Sequence, residues 1–241
     1  MKSLFKLIGK RKTIIFLDLE GTQFSHEMIA FGAVRVDLDK NYKVKKVYKG
    51  IKSYVKAKNK IGHYVIGLTG IHQELLDKEG ITYKEALKKI RKYCGYFLSR
   101  VCFMTFGTHD LRILAKSLEQ SPDADHEFCE FMIKNTIDLS MVISQFIRDE
   151  NTNPLSLLNC LNVFHIDLVG EPHDPLTDAQ HLRLVYQAMI EQKDVVFEEY
   201  KKLLMHYKSM PEPVKKAIKD LMDGKDVSSV EFIQSLHEYI G

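Results

Sequence analysis

The sequence predicts an α/β fold in which a mixed β-sheet is flanked by helices and followed by a helical appendage. Three apolar segments rich in β-branched residues follow one another within residues 13–51, and their short connections are typical of antiparallel strands. Beyond residue 80, amphipathic helical patterns alternate with two further strand patterns. This alternation is typical of helices packed against a single sheet.

Length and composition narrow the class of protein. A chain of 241 residues can form one large domain, or a medium domain with an appendage. Its hydrophobic fraction of 45% and charged fraction of 28% are typical of soluble globular proteins. The formal net charge of +3 is too small to indicate nucleic-acid binding by itself. Four scattered cysteines without a Cys-x-x-Cys pair favour free thiols in a reducing compartment over a zinc site.

The first twelve residues are basic, and their apolar run is too short and too interrupted for a signal peptide or a membrane span. We interpret this segment as a basic lead-in to the first strand. We therefore expect a cytoplasmic protein without membrane association.

The first predicted strand covers residues 13–17 and is bounded by Gly21. Side chains alternate along a strand, so Asp18 and Glu20 point to the same face, about 7 Å apart. Two such carboxylates repel each other unless water or a cation compensates them. The pair indicates either a strand end that is open to solvent or a metal site.

The second and third predicted strands cover residues 28–37 and 42–51. The overlapping segment 40–60 contains nine lysines and no acidic residue. Lysines on an edge strand block pairing between sheets, and a row of lysines also attracts phosphate groups. We favour the edge-strand interpretation, although one strand can serve both purposes.

Two helices are predicted between the third and fourth strands. A turn over residues 67–71 leads into a short helix at 72–78. Thr82 and Glu85 have the spacing of a capping box, and the apolar residues that follow recur at helical spacing. We therefore expect a longer amphipathic helix to begin at this box.

The fourth and fifth predicted strands cover residues 101–106 and 136–139. Asp110 lies where the fourth strand passes into an amphipathic helix, a position at which an Asp is also an ordinary N-cap. Two further helices are predicted at 140–148 and 155–164, on either side of a loop.

The last predicted helix of the sheet-forming part begins near Asp178, with Thr177 as its N-cap and His173 in the preceding loop. Its apolar residues are at helical spacing as far as Ile190. We place a boundary after residue 192, so that residues 1–192 form one domain and 193–241 a helical extension. The helices expected in the extension cover residues 197–207, 213–222 and 229–239.

Three motifs, in this order, resemble the DEDDh group of 3′–5′ exonucleases, which has a ribonuclease-H-like fold with a five-stranded mixed sheet. The motifs are Phe-Leu-Asp-Leu-Glu-Gly-Thr at 16–22, Phe-Gly-Thr-His-Asp at 106–110, and a His followed five positions later by an Asp at 173–178. The resemblance covers residues 13–192. The five side chains that it implies as catalytic are Asp18, Glu20, Asp110, His173 and Asp178.

The resemblance implies a metal-dependent phosphodiesterase that releases nucleoside 5′-monophosphates from a 3′ end. Four carboxylates in one cleft suit hard divalent cations, so we expect two Mg²⁺ or Mn²⁺ ions per active site. His173 is then the general base. The expected metal ligands are Asp18, Glu20, Asp110 and Asp178.

The resemblance also implies a site for the terminal nucleotide at residues 21–24, with a Leu-Thr-Gly-Ile segment at 68–71 beside it. Phe24 is a candidate for stacking on a base, although we favour a place in the core. The substrate-binding residues expected are Gly21, Thr22, Gln23, Phe24, Leu68, Thr69 and Ile71.

The substrate expected is the 3′ end of single-stranded RNA or DNA. The second motif has Gly107-Thr108-His109 where many members have an Asn just before the Asp, and Gln23 replaces a frequent Gly. Because RNA-acting members vary most in the second motif, RNA is slightly favoured. The C-terminal extension is a candidate surface for a polymerase or another protein partner.

Two alternatives come from other classes. The Asp-Leu-Glu-Gly-Thr motif also resembles that of haloacid-dehalogenase-like phosphatases, with Asp18 as the covalent nucleophile. However, Glu20 stands where those enzymes have an Asp. The other alternative is an inactive nuclease fold that serves as a binding module, for which loss of one of the five residues would be the signature.

Overall fold

The structure, a computed structural model, describes residues 1–206 and 210–240. It contains a mixed six-stranded sheet of order β3-β2-β1-β5-β6, in which β4 also pairs with β2. β1 is antiparallel to β2 and parallel to β5, and β5 is parallel to β6. The strands are β1 Thr13–Gly21, β2 Met28–Leu38, β3 Val44–Val47, β4 Ile51–Tyr54, β5 Val101–Thr105 and β6 Thr136–Asp138.

The described residues form twelve α-helices, so the predicted α/β class with helices around a mixed sheet is confirmed. The helices are α1 Lys2–Ile8, α2 His63–Thr69, α3 Gln73–Glu79, α4 Tyr83–Cys94, α5 His109–Gln120, α6 His126–Lys134, α7 Leu139–Ile143, α8 Leu157–Val163, α9 Pro175–Glu191, α10 Lys193–His206, α11 Glu212–Met222 and α12 Ser229–Ile240.

The sheet has six strands, where the sequence predicted five, because the third predicted strand divides into β3 and β4. β2 is eleven residues long and pairs with both, using Val36–Leu38 for β3 and Ala30–Ala33 for β4. Between β3 and β4 the chain is not paired as a strand and contacts α9. A Cβ on Gly50 would lie 2.5 Å from Leu176 Cδ1 of that helix. Close packing against this helix therefore interrupts the strand.

Three helices differ from the sequence-based expectation. The basic lead-in is a helix, α1, which buries Leu4 and Ile8 one turn apart. α2 and α6 had no prediction. α2 was missed because it has no fully buried residue and lacks a periodic apolar pattern. α6 was missed because it is short; it is capped by Asp125.

Helix boundaries in the second half also differ. The helix predicted at 140–148 is shorter and begins earlier, as α7. The capping box of Thr82 and Glu85 is present at the start of α4. Tyr207, predicted to end a helix, lies outside the described residues.

The two faces of the sheet carry different layers. From Ile15 to Leu19, the odd-numbered side chains of β1 pack in one apolar cluster with residues of α4, α5 and α6. The even-numbered side chains face α9, where the ring of Phe16 lies 5.5 Å from that of Tyr186. The alternation of the strand therefore places Asp18 and Glu20 on the side of α9.

The chain divides by its contacts into two compact units. The first contains residues 1–142 and 156–192, and the second contains residues 143–155 and 193–241. All four cysteines are buried free thiols.

Among the described residues, no helix has the length and apolar character that crossing a membrane requires.

Candidate active site

The first two acidic residues of the site stand at the carboxyl end of β1. Asp18 is paired in register with Gly32 of β2. A Cβ on Gly32 would lie only 2.1 Å from the backbone carbonyl carbon and oxygen of Pro175. The missing side chain thus lets the first turn of α9 lie directly on the sheet beside Asp18.

The start of α9 brings the third motif to this place. Asp174 is the N-cap and accepts hydrogen bonds from the backbone N–H groups of Leu176 and Thr177, both at 3.0 Å. The predicted N-cap, Thr177, is therefore wrong, because Asp174 caps the helix and Pro175 occupies its first position. Asp178 consequently lies in the first turn of α9.

His173 lies immediately before this cap, exposed and with a φ of 59°. Its neighbour Asp174 forms an ion pair with Lys52 of β4, which ties the loop to the sheet. The ligand atoms of Glu20, His173 and Asp178 lie within 4.8 Å of one another. Residues from both ends of the domain sequence are thereby brought into one cluster with metal-binding chemistry.

Asp110 approaches from α5 and acts by its charge on Asp18 and Glu20, although the group of three ligand atoms within 4.8 Å includes neither Asp110 nor Asp18. The sequence also allowed Asp110 to be the N-cap of this helix. In the structure Thr108 is the N-cap, so that alternative is wrong.

The side chain of Asp110 is buried, and Oδ1 accepts a hydrogen bond of 2.9 Å from the backbone N–H of Leu19. The last residue pair between β1 and β5 is Phe16 with Met104. Because β1 continues beyond this pair, the Leu19 N–H is not used in pairing with β5. The bond holds the Asp110 carboxylate against the backbone of β1 at Leu19, which lies between Asp18 and Glu20 in the sequence.

The carboxyl groups of this cluster disfavour one another's ionisation. Burial raises the pKa of Glu20 to about 8, and the charges of Asp178, Asp110 and Asp174 add to the effect. Burial likewise raises the pKa of Asp110 to about 7, against the hydrogen bond from Leu19. The pKa of Asp18 is raised well above its usual range by burial and then by Asp110, Glu20 and Asp178.

Burial also raises the pKa of Asp178, although His173 and His181 oppose the shift. Buried like charges of this kind are relieved by a bound cation. Asp18, Glu20, Asp110 and Asp178 are hard oxygen donors, so the cluster fits Mg²⁺ or Mn²⁺.

Of the predicted nucleotide-binding residues in the loop after β1, Phe24 is the most exposed. Its side chain is 80% exposed, so the favoured interpretation of Phe24 as a core residue is wrong. Thr22 is buried, and its hydroxyl accepts a hydrogen bond of 2.9 Å from the backbone N–H of Glu27. The Gln23 carboxamide accepts a hydrogen bond of 3.3 Å from the Tyr64 N–H and so joins this loop to α2. Gly21 ends β1 and is buried.

The predicted turn at 67–71 is the end of helix α2, which Gly70 terminates with a φ of 68°. Leu68 is exposed, whereas Ile71 is buried. The Thr69 hydroxyl donates to the Val65 carbonyl at 2.8 Å and accepts from the Ile71 N–H at 3.1 Å. Leu68 is thus free to contact a ligand, while Thr69 and Ile71 hold the shape of the segment.

One site residue was missed by the sequence analysis. His181 is 4% exposed, and its Nδ1 lies 3.7 Å from Asp178 Oδ1. Its Nε2 accepts a hydrogen bond of 3.4 Å from the Val169 N–H, which leaves the proton on Nδ1, facing the carboxylate. The spacing of three residues from Asp178 on a helix is the signal that would have found it.

Comparison with protein families agrees with this geometry. Residues 15–186, which form most of the chain, match the family model RNase_T, described as exonuclease. The chain belongs to the RNase_T exonuclease family. The expected exonuclease is confirmed at the level of the family, whereas the 3′–5′ direction, the DEDDh type and the divalent-metal dependence stay predictions. The phosphatase and inactive-module alternatives are therefore not retained.

Solved structures show the same fold around this exonuclease site. The nuclease domain of 3'hExo, a DEDDh family member bound to rAMP, has a TM-score of 0.61 at 21% identity, covering 76% of this chain and 93% of that domain. Cell-death related nuclease 4 (CRN-4) has a TM-score of 0.62 at 19% identity, covering 76% of this chain and 65% of its own. E. coli exonuclease I in complex with a dT13 oligonucleotide has a TM-score of 0.57 at 15% identity, covering 86% of this chain and 45% of that enzyme.

Among curated proteins, none matches this exonuclease by sequence. At identities of 21% or less, these three structures support the fold and leave the substrate to be argued from the site.

Proposed function

We propose that this exonuclease removes nucleotides one at a time from the 3′ end of single-stranded nucleic acid by a two-metal-ion mechanism. The observation that carries the proposal is the approach of Glu20, His173 and Asp178 to within 4.8 Å beside the buried Asp110. This arrangement combines hard oxygen ligands with a proton acceptor, which is what hydrolysis of a phosphodiester requires.

The metal sites follow from the carboxylates. Two divalent ions would stabilise charge on both the attacking and the leaving oxygen of the phosphodiester. The charges of Asp110, Glu20 and Asp178 all act on the buried Asp18, so we propose that Asp18 would help to hold the cations. The four carboxylates would hold the cations, and their charges would then no longer oppose one another.

His173 is the proposed general base. Its imidazole is exposed at the edge of the carboxylate cluster, where an attacking water can reach it. Imidazole is the side chain that most often accepts a proton in such a step. The adjacent Asp174 cap and its Lys52 ion pair hold the loop in place.

The terminal nucleotide is assigned to the loop after β1 and to the end of α2. Phe24 and Leu68 are exposed there and would contact the base or sugar. The solved relatives hold rAMP in one case and a dT13 oligonucleotide in another. We propose single-stranded RNA as the preferred substrate, on the basis of the second motif, with DNA as the second choice. A protein partner for residues 193–241 stays a prediction.

The test is cleavage of 5′-labelled RNA and DNA of equal sequence with Mg²⁺, Mn²⁺ or a chelator. We expect a metal-dependent ladder that shortens from the 3′ end and disappears in Asp18→Asn. Glu130→Gln removes one exposed carboxylate from α6 and is the matched control, which should cleave like the wild type. A folded wild-type protein that cleaves neither strand would contradict the proposal.

A further inference from the structure

A second polar cavity lies at the opposite end of β1 from the carboxylates. Its volume is about 430 Å³, within the range of ligand-binding pockets. Thr13 lines it at the start of β1, and Asp18 lies five positions further along the strand, or about 17 Å. The cavity is therefore distinct from the catalytic cleft.

The lining of this cavity is strongly basic. Five of its side chains are cationic and only one, that of Asp37, is acidic. The Asp37 carboxylate accepts hydrogen bonds from the hydroxyls of Tyr48, at 2.6 Å, and Thr13, at 2.9 Å. Asp37 also forms an ion pair with Arg35, with 3.6 Å between its Oδ1 and Arg35 Nη2, so four of the five cationic side chains have no acidic counterpart in the lining. The cationic residues are Lys12, Arg35, Lys45, Lys46 and Arg100.

Arg35 is held in a fixed position within the cavity. Its guanidinium lies over the ring of Tyr48, 4.4 Å from the centroid, and Nη1 donates to the Tyr93 carbonyl at 3.3 Å. Gly95, with a φ of 86°, makes room for it, because a Cβ there would lie 2.7 Å from Nη1. Arg35 Nε is buried and has no hydrogen-bond partner within the described part of the chain. Such a preorganised guanidinium suits an anion.

Two aromatic side chains stand at the rim. Tyr96 is fully exposed and Phe97 is 66% exposed, directly after the Gly95 turn that ends α4. The guanidinium of Arg100 lies 5.2 Å from the ring centroid of Phe97. Cations that track phosphates, interleaved with exposed rings, are the combination that binds single-stranded nucleic acid.

We propose that this cavity binds a nucleotide of the single-stranded substrate away from its 3′ end, with phosphate on the cations and a base on Tyr96 or Phe97. The inference rests on the proposed function for the identity of the substrate. It also assigns a role to part of the lysine-rich segment, because Lys45 and Lys46 of β3 face the cavity as well as forming the sheet edge.

The first experiment measures binding without cleavage. Fluorescence anisotropy in the presence of a chelator compares a 5′-labelled oligomer of ~20 nucleotides with one of ~4, the longer being above the usual site size of one domain. We expect Tyr96→Ala to weaken binding of the long oligomer about fivefold or more, as loss of one stacked base does. Lys45→Ala and Lys46→Ala should each lower the salt dependence of log Kd by about 0.7. Lys88→Glu, on the exposed face of α4, is the control and should leave both the Kd for the long oligomer and its salt dependence unchanged.

A second experiment separates this cavity from the active site. With Mg²⁺, the cavity variants should raise KM for the long oligomer while kcat, and cleavage of the short one, stay as in the wild type. The wild type could fail to cleave either oligomer while the variants still weaken binding of the long one. That result would contradict the proposed function and support the binding site in the cavity. Binding equal to the wild type in all three variants would overturn the inference. Full competition by a polyglutamate peptide, a polyanion without bases, would also overturn it.

Discussion

At the scale of single residues, the carboxyl groups couple the chemistry of this exonuclease to its stability. The pKa of Glu20 is about 8 and that of Asp110 about 7 in the folded chain, both above the values of exposed acids. A group whose pKa is raised by folding binds more protons in the folded state than in the unfolded one. Its stabilising contribution is complete below the unfolded pKa and is lost as pH rises through the folded pKa.

The metal-free protein is therefore expected to lose stability between about pH 4 and pH 8. Asp18→Asn removes one of the mutually repelling charges, so at pH 8 in chelator it should melt higher than the wild type, by about 2–4 °C for each kcal/mol of relief. Differential scanning fluorimetry across this range measures both effects. Mg²⁺ should raise the melting temperature of the wild type more than that of the variant. A variant that melts lower than the wild type in chelator would contradict the electrostatic argument.

The role of His173 can be separated from metal binding. If it is the general base, His173→Ala lowers kcat by about 10²–10⁴-fold, while the affinity for Mn²⁺ measured by titration calorimetry changes little. His165→Ala is a matched control, because His165 is also an exposed loop histidine with a positive φ, of 54°. A large loss of Mn²⁺ affinity in His173→Ala would instead identify the imidazole as a ligand.

At the scale of elements, the close approach of α9 to β2 assembles the site. This helix carries Asp178, and the loop before it carries His173, yet the sheet carries Asp18 and Glu20. The two groups meet only because Gly32 has no side chain at the contact with Pro175. Since the opposing atoms belong to the backbone, a side chain at this position cannot be accommodated by a change of rotamer.

Gly32→Ala is accordingly expected to displace the start of α9 and to destabilise the protein by about 1–3 kcal/mol, the usual range for overpacking. Activity should fall as well, because His173 and Asp178 move with the helix. Denaturant unfolding and the cleavage assay measure the two effects. Gly67→Ala, in α2, meets no atom within 4 Å and should be neutral or stabilising. Equal stability and equal activity of the two variants would show that the contact between Gly32 and Pro175 does not position α9.

At the scale of the whole molecule, the proposed catalytic residues all belong to the first compact unit. The second unit combines residues 143–155 with the C-terminal helices, and within it the ring of Phe146 lies 5.6 Å from that of Tyr200 in an edge-to-face arrangement. We propose that residues 1–192 carry the activity and that residues 193–241 stabilise the segment 143–155 by such contacts.

A fragment of residues 1–192 is expected to cleave from the 3′ end but to melt lower than the full chain. Tyr200→Ala leaves the chain at full length but removes this ring, and loss of the ring pair should cost about 0.5–1.5 kcal/mol in addition to the loss of buried area. Thermal melting and the cleavage assay compare the three proteins. A fragment that is folded by circular dichroism and inactive would show that residues 193–241 contribute to the reaction itself.

Much of the fold and part of the site could be predicted because their signals are local. The alternation of β1 placed Asp18 and Glu20 on one face, and the capping box marked the start of α4. The order of the three motifs indicated the exonuclease family. Where no local signal existed, prediction failed: α2 has no fully buried residue, and the break in the third strand lies where Gly50 packs against Leu176, more than a hundred residues away.

The sequence by itself thus determined the class of fold, the strand that carries the first two acids and the family of the enzyme. Only the tertiary structure decided that Asp110 bonds to Leu19, that Asp174 rather than Thr177 caps α9, that Phe24 is exposed, and that a basic cavity lies at the far end of β1. The physical reason is that periodicity records which face of an element is buried. What covers that face, and which distant side chains meet there, depends on packing between elements that lie far apart in the chain.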